Sequence, residues 1–403
     1  MPEVINQPVE IINGVYWVGA VDWEVREFHG HHYNTVNGTT YNCYLVKGQK
    51  TALVDTVHAP FAKELFERLQ QLISLDKLDY LVVNHVESDH SGALPAIMAQ
   101  APQATIICTR NGEKAIRQHY QAEGWKFQQV KTGDVVDLGG RTLSFIEATM
   151  LHWPDSMFTY VPELALLLSN DAFGQHLASS SRFDDEVDHS ILMDEASKYY
   201  ANILTPFDLL VEKKIKEVQQ ANLSIQIIAP SHGVIWRKAP EEILAAYLKW
   251  ATSPGEKRII VAYDTMWGST EQMAHAVMEG VTEGGVIAKL YLLPVSDRTE
   301  VLRDIVESRG LVLGCATINK RVLPGMAEIL EDLRGLHPEG KIGFAFGSQG
   351  WGGGAVKVME DTMDEIKVTR IKEGIKATYR PTPEDLAACK VAGRELAGAV
   401  KAS

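Results

Sequence analysis

The stretch Leu81-Val82-Val83-Asn84-His85-Val86-Glu87-Ser88-Asp89-His90-Ser91-Gly92 changes character halfway along: an apolar run that reads as a buried strand breaks into residues rich in histidine and carboxylate. The pattern predicts a strand running into a loop. At the carboxyl end of a strand in an α/β sheet, loop side chains project into a crevice while the strand fixes their backbone, so groups placed there are preorganised. Single candidates of the same kind follow downstream. His152 lies in Met150-Leu151-His152-Trp153-Pro154-Asp155, Asp171 ends the run Leu164-Ala165-Leu166-Leu167-Leu168-Ser169-Asn170-Asp171, and His232 ends Ile225-Gln226-Ile227-Ile228-Ala229-Pro230-Ser231-His232. Taken singly, each of these three reads as an ordinary polar loop residue, because such loops favour Asp and Ser and His is common on surfaces. Their joint pattern, one ligand per strand end, is what a metal cleft between sheets requires. The seven residues His85, Glu87, Asp89, His90, His152, Asp171 and His232 suffice for two metal ions.

On these residues the chain resembles the metallo-β-lactamase superfamily, whose signature places His-x-His-x-Asp-His after a strand, with single ligands downstream. Here the second position is Glu87. A hydrolase of that superfamily binds zinc mainly through imidazole, whereas Glu87 adds a hard anionic oxygen. With Glu87 in place the pattern is similar to that of the flavodiiron proteins, also called A-type flavoproteins. The resemblance implies one iron on His85, Glu87 and His152, a second on Asp89, His90 and His232, and Asp171 bridging them. Each iron then keeps an open position at which a non-haem ferrous ion meets a diatomic molecule. Asp89 and His90 are adjacent, so both have to turn toward the same ion. The resemblance further implies a His and a Tyr near the irons, His29 from Arg26-Glu27-Phe28-His29-Gly30-His31-His32-Tyr33 and Tyr199 from Tyr199-Tyr200. Either can give a hydrogen bond or proton to a bound gas-derived anion. The His31-His32 pair reads equally as solvated loop.

The second half carries an unrelated motif. Lys257-Arg258-Ile259-Ile260-Val261-Ala262-Tyr263-Asp264 reads as a parallel strand and runs into Thr265-Met266-Trp267-Gly268-Ser269-Thr270 before a helical segment from Glu271 to Glu283. Strand, hydroxyl-rich loop and helix amino terminus make a phosphate cradle, with backbone N–H groups and hydroxyls donating to the anion and the helix dipole favouring its charge. The loop lacks both the NTP-binding and the dinucleotide glycine patterns, so a mononucleotide is expected. Two more strand-end loops fit the flavodoxin family, whose FMN sits at the switch point of a five-stranded doubly wound sheet. Leu311 to Ala316 leads to Thr317-Ile318-Asn319, and Ile342 to Phe346 leads to Gly347-Ser348-Gln349-Gly350-Trp351-Gly352-Gly353-Gly354. In that family the first loop flanks the flavin ring and the second wraps it, which assigns Ala316, Thr317, Ile318, Asn319, Ser348, Gln349, Gly350, Trp351 and Gly352 to FMN alongside the cradle from Thr265 to Thr270. Ala316 departs from the family's usual Ser-Pro-Thr. Trp351 and Trp267 are the candidates for stacking on the ring, with plain surface or core burial the other reading. The run of glycines reads either as a flexible turn or as room for close backbone approach to a ligand.

A chain of 403 residues exceeds what one hydrophobic core usually holds. The polar turn Thr252-Ser253-Pro254-Gly255-Glu256 is the best boundary. The expected fold is α/β: a metallo-β-lactamase-like αββα sandwich over residues 1–252, then a flavodoxin-like doubly wound parallel sheet over 256–403. Helices are expected at Pro60 to Leu75, Ser91 to Gln100, Ala239 to Trp250 and Pro383 to Ala397. Four widely spaced cysteines, Cys43, Cys108, Cys315 and Cys389, form no Cys-x-x-Cys pair and read as buried thiols. That leaves no fused rubredoxin-like centre, so electrons arrive from another protein. No signal peptide, membrane-length apolar run or disulfide framework is visible, which points to the cytoplasm. A formal charge of −13 argues against nucleic acid as a partner.

Taken together, the resemblance covers essentially the whole chain and implies an oxidoreductase. FMN collects electrons one at a time and passes them to a non-haem di-iron site that reduces dioxygen to water, nitric oxide to nitrous oxide, or both. It also implies a donor such as rubredoxin and a head-to-tail homodimer, or a dimer of such dimers. The competing enzyme class is a zinc hydrolase of the same fold with an accessory flavin domain; the non-catalytic alternative is an electron-carrying or gas-sensing flavoprotein with a structural metal site. Glu87 and the flavin loops weigh against the first, and the open coordination of seven ligands around two metals against the second.

Overall fold

Alternating apolar and polar residues build the sheets, and strand ends carry the polar loops. A computed structural model describes residues 6–403. The chain divides into two compact units. One comprises His31 and the described residues before it, Thr35–Tyr199 and Leu209–Leu248, and the other His32–Asn34, Tyr200–Asp208 and Lys249–Ser403.

Among the described residues the first unit holds a seven-stranded sheet in the order Val9–Ile12, Val15–Trp17, Tyr44–Lys47, Thr51–Val54, Tyr80–Val82, Thr105–Cys108 and Lys126–Gln129. It opens with a hairpin at Asn13-Gly14, where Gly14 takes φ +71°, as a two-residue turn demands. The strands from Thr51 onward pair parallel. A five-stranded sheet follows, in the order Val135–Asp137, Thr142–Glu147, Met157–Val161, Leu166–Asn170 and Ile227–Pro230, antiparallel except for its last pair. The period of two sends Val46, Ala52, Val54, Val82 and Ile107 of the first sheet against Leu143, Phe145, Met157, Leu166 and Leu168 of the second, an apolar layer between sheets. The opposite residues of the first sheet, Leu45, Leu53, Leu81 and Ile106, pack on Leu65, Leu69, Leu94, Ile97 and Ile116 of its outer helices. On the second sheet's side, helix Pro240–Thr252 seats Tyr247 against Phe173, with ring centroids 4.6 Å apart, and its hydroxyl accepts the Phe173 N–H.

Two expected helices differ. The segment from Pro60 to Leu75 forms a 3-10 turn at Ala59–Phe61, a helix at Ala62–Leu69 and a second 3-10 turn at Leu75–Lys77. The apolar period continues through Leu72 and Leu75, but the Ser74 hydroxyl bonds the Asp76 carboxylate and gives the backbone a non-helical solution there. The segment from Ser91 to Gln100 starts earlier and is split into Ser88–Ser91 and Leu94–Gln100.

The second unit is a parallel sheet in the order Ile287–Leu292, Glu256–Asp264, Ser308–Cys315, Ile342–Gln349 and Thr369–Arg370, with Ile375–Thr378 also paired to Ile342–Gln349. Strand Glu256–Asp264 alternates strictly. Ile260 and Ala262 join a core with helices Arg298–Glu307, Pro324–Leu336 and Ala355–Glu365, while Ile259, Val261 and Tyr263 join one with Ser269–Glu283 and Pro383–Ala402. Helices on both faces and parallel neighbours on either side of Glu256–Asp264 give the doubly wound order, with its switch point at the carboxyl end of that strand.

Candidate functional site

The strand ends of the first unit converge. Strand Tyr80–Val82 delivers His85 and Glu87, and Glu87 then caps the short helical turn Ser88–Ser91. Asp89 and His90 therefore sit on a helical turn, not in the open loop expected from the sequence, because Ser91 Oγ donates to the carbonyls of Val86 and Glu87 and closes it. The turn settles how adjacent residues face one point: Asp89 Oδ2 and His90 Nε2 are 3.2 Å apart. Asp171 follows strand Leu166–Asn170 after a left-handed Asn170, φ +53°, and His232 follows strand Ile227–Pro230.

The seven donors fall into two groups. Glu87 Oε2 lies 3.3 Å from His85 Nε2 and 3.4 Å from His152 Nε2, and Asp171 Oδ2 lies 3.7 and 3.5 Å from the same nitrogens. On the other side Asp89 Oδ2 lies 3.2 Å from His90 Nε2 and 3.0 Å from His232 Nε2, and Asp171 Oδ1 lies 2.9 and 3.6 Å from these. The two carboxylate oxygens of Asp171 thus each face a separate set of three donors. Within each group the donor atoms lie within 4.8 Å of one another.

This set suits metal cations. Asp89 Oδ1 is buried with no hydrogen-bond partner among the described residues, and His90 Nε2 and Asp171 Oδ2, though 2.9 and 3.5 Å from opposite charges, make no well-directed hydrogen bond. Bare polar atoms in an interior cost free energy that a coordinated ion removes. Imidazole nitrogens mixed with carboxylate oxygens are a donor set for iron. At His85, His90, His152, Asp171 and Glu87 burial opposes charge, yet opposite charges prevail. Asp155 and Glu87 push His85 up to about 10, Asp171 and Glu87 push His152 up to about 10, and Asp171 and Asp89 push His90 up to about 9. Against the same burial, the histidines hold Asp171 and Glu87 well below the usual carboxylate range.

Of the two residues expected beside the metals, His29 places Nε2 3.1 Å from Glu87 Oε1. Tyr199 is buried, its ring centroid 6.1 Å from that of His232, and burial keeps its phenol protonated far above the usual range. His31 pairs with Glu27 on the surface, as a solvated residue. Several further neighbours carried no readable signal. His176 packs 4.8 Å from the His232 ring and 5.1 Å from Tyr199, with Thr39 Oγ1 2.8 Å from its Nδ1. The loop bearing His232 is clamped by the segment Thr40 to Tyr44: Asn42 Nδ2 donates to the carbonyls of Pro230 and Gly233, Tyr44 Oη to Pro230, and Thr40 O lies 2.6 Å from His232 Nδ1. Asp155 lies 3.1 Å from His85 Nδ1; a carboxylate three residues after His152 in the same strand-end loop was the one clue available.

The second unit holds a cavity of about 610 Å³ lined by Met266, Trp267, Ser269, Ala316, Thr317, Asn319, Ser348, Gln349, Gly350, Trp351 and Gly352, together with Lys320 and Tyr379. Its size lies within the range of about 300–1,000 Å³ common to cofactor pockets. Trp267 is 90 % and Trp351 97 % exposed, so neither indole is a core residue. Thr265, Gly268, Thr270 and Ile318 are not part of this lining. Thr265 Oγ1 accepts the Gly268 N–H, Gly268 takes φ +81° to start helix Ser269–Glu283, and Thr270 Oγ1 lies 2.9 Å from Ser348 Oγ. Two glycines serve the chain itself: a Cβ on Gly353 would meet Gln349 Oε1 at 1.9 Å, and one on Gly354 the Lys320 carbonyl at 2.1 Å. Tyr379 follows the short strand Ile375–Thr378, which the sequence reading did not separate out.

Comparison with known proteins covers both units. Residues 39–233 match the ODP family beta lactamase and residues 261–393 match flavodoxin. The chain is 53 % identical over 397 residues to a nitric oxide reductase of Moorella thermoacetica, covering 98 % of this chain and 100 % of the relative. It is 44 % identical to the anaerobic nitric oxide reductase flavorubredoxin of Pectobacterium atrosepticum, over 96 % of this chain and 77 % of the relative. Among solved structures, the rubredoxin oxygen:oxidoreductase of Desulfovibrio gigas superposes with a TM-score of 0.96 at 37 % identity, over 98 % of this chain and 99 % of that one. The flavodiiron protein of Giardia intestinalis superposes with a TM-score of 0.94 at 36 % identity, over 100 % and 98 %. With sequence and architecture shared along almost its whole length, and a two-part donor cluster in the unit where the beta-lactamase match lies, the chain belongs to the flavodiiron protein family.

Proposed function

We propose that this chain is an oxidoreductase that takes electrons through FMN and reduces nitric oxide to nitrous oxide, dioxygen to water, or both. The observation that carries this reading is the geometry of Asp171, with one carboxylate oxygen toward His85, Glu87 and His152 and the other toward Asp89, His90 and His232. The residues of the cavity bounded by Met266, Thr317 and Trp351 would hold FMN, and the seven donors two irons. Bound there, FMN supplies single electrons and the iron pair supplies redox equivalents with open positions for a diatomic gas.

The chain's own groups set the conditions. Asp171 holds the two donor sets at a fixed spacing. His29 occupies Glu87 Oε1 and leaves Oε2 turned to His85 and His152. Its side chain is also 27 % exposed, so it connects the cluster to solvent as a source of protons at Nε2. Phe28, with its ring centroid 5.5 Å from that of His232, joins His176 and Tyr199 in a wall that limits water, and the neutral Tyr199 phenol is a hydrogen-bond donor beside it.

A rubredoxin-type protein is the electron donor that the names of two relatives favour, and a head-to-tail homodimer is the assembly in which the flavin of one chain serves the irons of the other. Four free, buried cysteines suit a reducing compartment, the cytoplasm. Among the described residues no helix is long and apolar enough to cross a membrane. The test is elemental analysis with steady-state consumption of each gas, using reduced rubredoxin. About two irons per chain and turnover of nitric oxide, dioxygen or both are expected. Zinc, thioester hydrolysis and no gas reduction would overturn the reading in favour of a hydrolase.

A further inference from the structure

The ring nitrogens turned away from the metal donors are treated differently on the two sides. His85 Nδ1 lies 3.1 Å from Asp155 Oδ2, a carboxylate oxygen that also accepts the Val86 N–H at 2.8 Å. His232 Nδ1 instead meets a neutral carbonyl, Thr40 O, at 2.6 Å. His90 Nδ1 is buried with no hydrogen-bond partner among the described residues. Asp155 is itself 2 % exposed and braced, since Thr109 Oγ1 donates to its backbone carbonyl. The other buried carboxylate nearby, Asp55, spends its oxygens on the Asn84 N–H and on the side-chain amides of Asn84 and Asn170, not on a ligand ring.

We infer that Asp155 is a positioning residue that makes the two halves of the metal centre unequal, so that the ion at His85, Glu87 and His152 is held more tightly than the one at Asp89, His90 and His232. A carboxylate behind a ligating imidazole fixes the tautomer with the proton on Nδ1, aims the Nε2 lone pair at the ion and raises the ring's basicity. A carbonyl fixes the tautomer but adds no charge. The inference rests on the reading that two ions bind, and it adds which of them leaves first and why.

Because one oxygen of Asp155 serves both His85 and Val86, Asp155→Asn can keep both hydrogen bonds and remove only the charge, whereas Asp155→Ala removes the brace as well. Full-length protein loaded with ferrous iron is challenged anaerobically with excess ferrozine, and iron release is followed by absorbance. The wild type should release iron in two phases. Asp155→Asn should accelerate the slow phase about 10–100-fold, the cost usual for a partner of a metal-ligating histidine, and leave the fast phase unchanged. A single phase in the wild type, a slow phase unmoved in the variant, or equal acceleration of both phases would each overturn the inference. A wild type that binds fewer than two ions would instead sink the di-iron reading. Should the variants fail to fold, crystals of wild-type protein stopped after the fast phase decide the matter: iron should remain beside His85 and His152, and iron found beside His90 and His232 overturns the inference.

Discussion

Asp171 is 1 % exposed, and its two carboxylate oxygens face the histidines of both donor sets. Its replacement by Ala is expected to lower iron content by at least one ion per chain and gas consumption at least about tenfold, the lower end of the loss usual even for residues that only support a metal ligand. Flavin absorbance should persist, because the cavity lined by Thr317 and Gly350 belongs to the other unit. Full iron and full activity in Asp171→Ala would remove the bridging role. At the same scale, burial pushes the thiols of Cys108, Cys315 and Cys389 up to about 12 and that of Cys43 well above its usual value. The native protein at pH 8 should therefore resist iodoacetamide and react at all four cysteines only after denaturation, as counted by mass spectrometry. The seven donors were legible because their chemistry lies in side-chain type and in their position after apolar runs. Their supporting partners were not. Asn42 and Pro230 are 188 positions apart, and nothing in Thr40, Asn42 or His176 separates them from ordinary polar residues until the sheets bring them in.

Helix Ser269–Glu283 and the terminal helix Pro383–Ala402 pack closely because small residues meet the facing backbone. A Cβ on Gly280 would fall 1.9 Å from the Lys390 carbonyl, and one on Gly393 would fall 2.3 Å from that of Val277. Gly280→Ala should then destabilise the second unit by about 1–3 kcal/mol through forced separation of the helices. Thermal unfolding followed by flavin fluorescence checks this, and an unchanged or raised midpoint would show that the helices yield at no cost. Both helices were readable from the period of their apolar residues, and the second is anchored by a Thr382–Asp385 capping box. The stretch from Pro60 to Leu75 misled because the same period ran on through residues whose side chains bond locally. The short strands Thr369–Arg370 and Ile375–Thr378 escaped notice because two to four residues carry too little pattern.

For the whole molecule, the proposed head-to-tail dimer makes a claim about electron flow that a mixed dimer can decide. One chain carries Asp171→Ala, its partner Gly350→Trp. Gly350 lines the cavity proposed for FMN, and a Cβ there already touches the Tyr379 ring at 3.5 Å, so an indole would fill that space. If electrons pass between chains, the mixed dimer keeps one complete route and about half the wild-type rate, because a two-fold interface creates two equivalent contacts. Inactivity of a folded mixed dimer, with both single-variant dimers also inactive, would mean that electrons stay within one chain.

The interleaving of the donors bears on how the protein is made. His85, Glu87, Asp89 and His90 leave the ribosome together, yet the first two belong to one donor set and the last two to the other, so under the proposed di-iron reading the nascent chain would offer each ion only a pair. The set around His85 is completed with Asp171, and the set around His90 waits for His232. At about 5–20 residues per second, roughly 7 to 28 seconds separate the emergence of His90 from that of His232. Until His152 emerges a stray zinc ion would meet only a pair of donors in either set, and the set around His90 stays incomplete until His232 arrives.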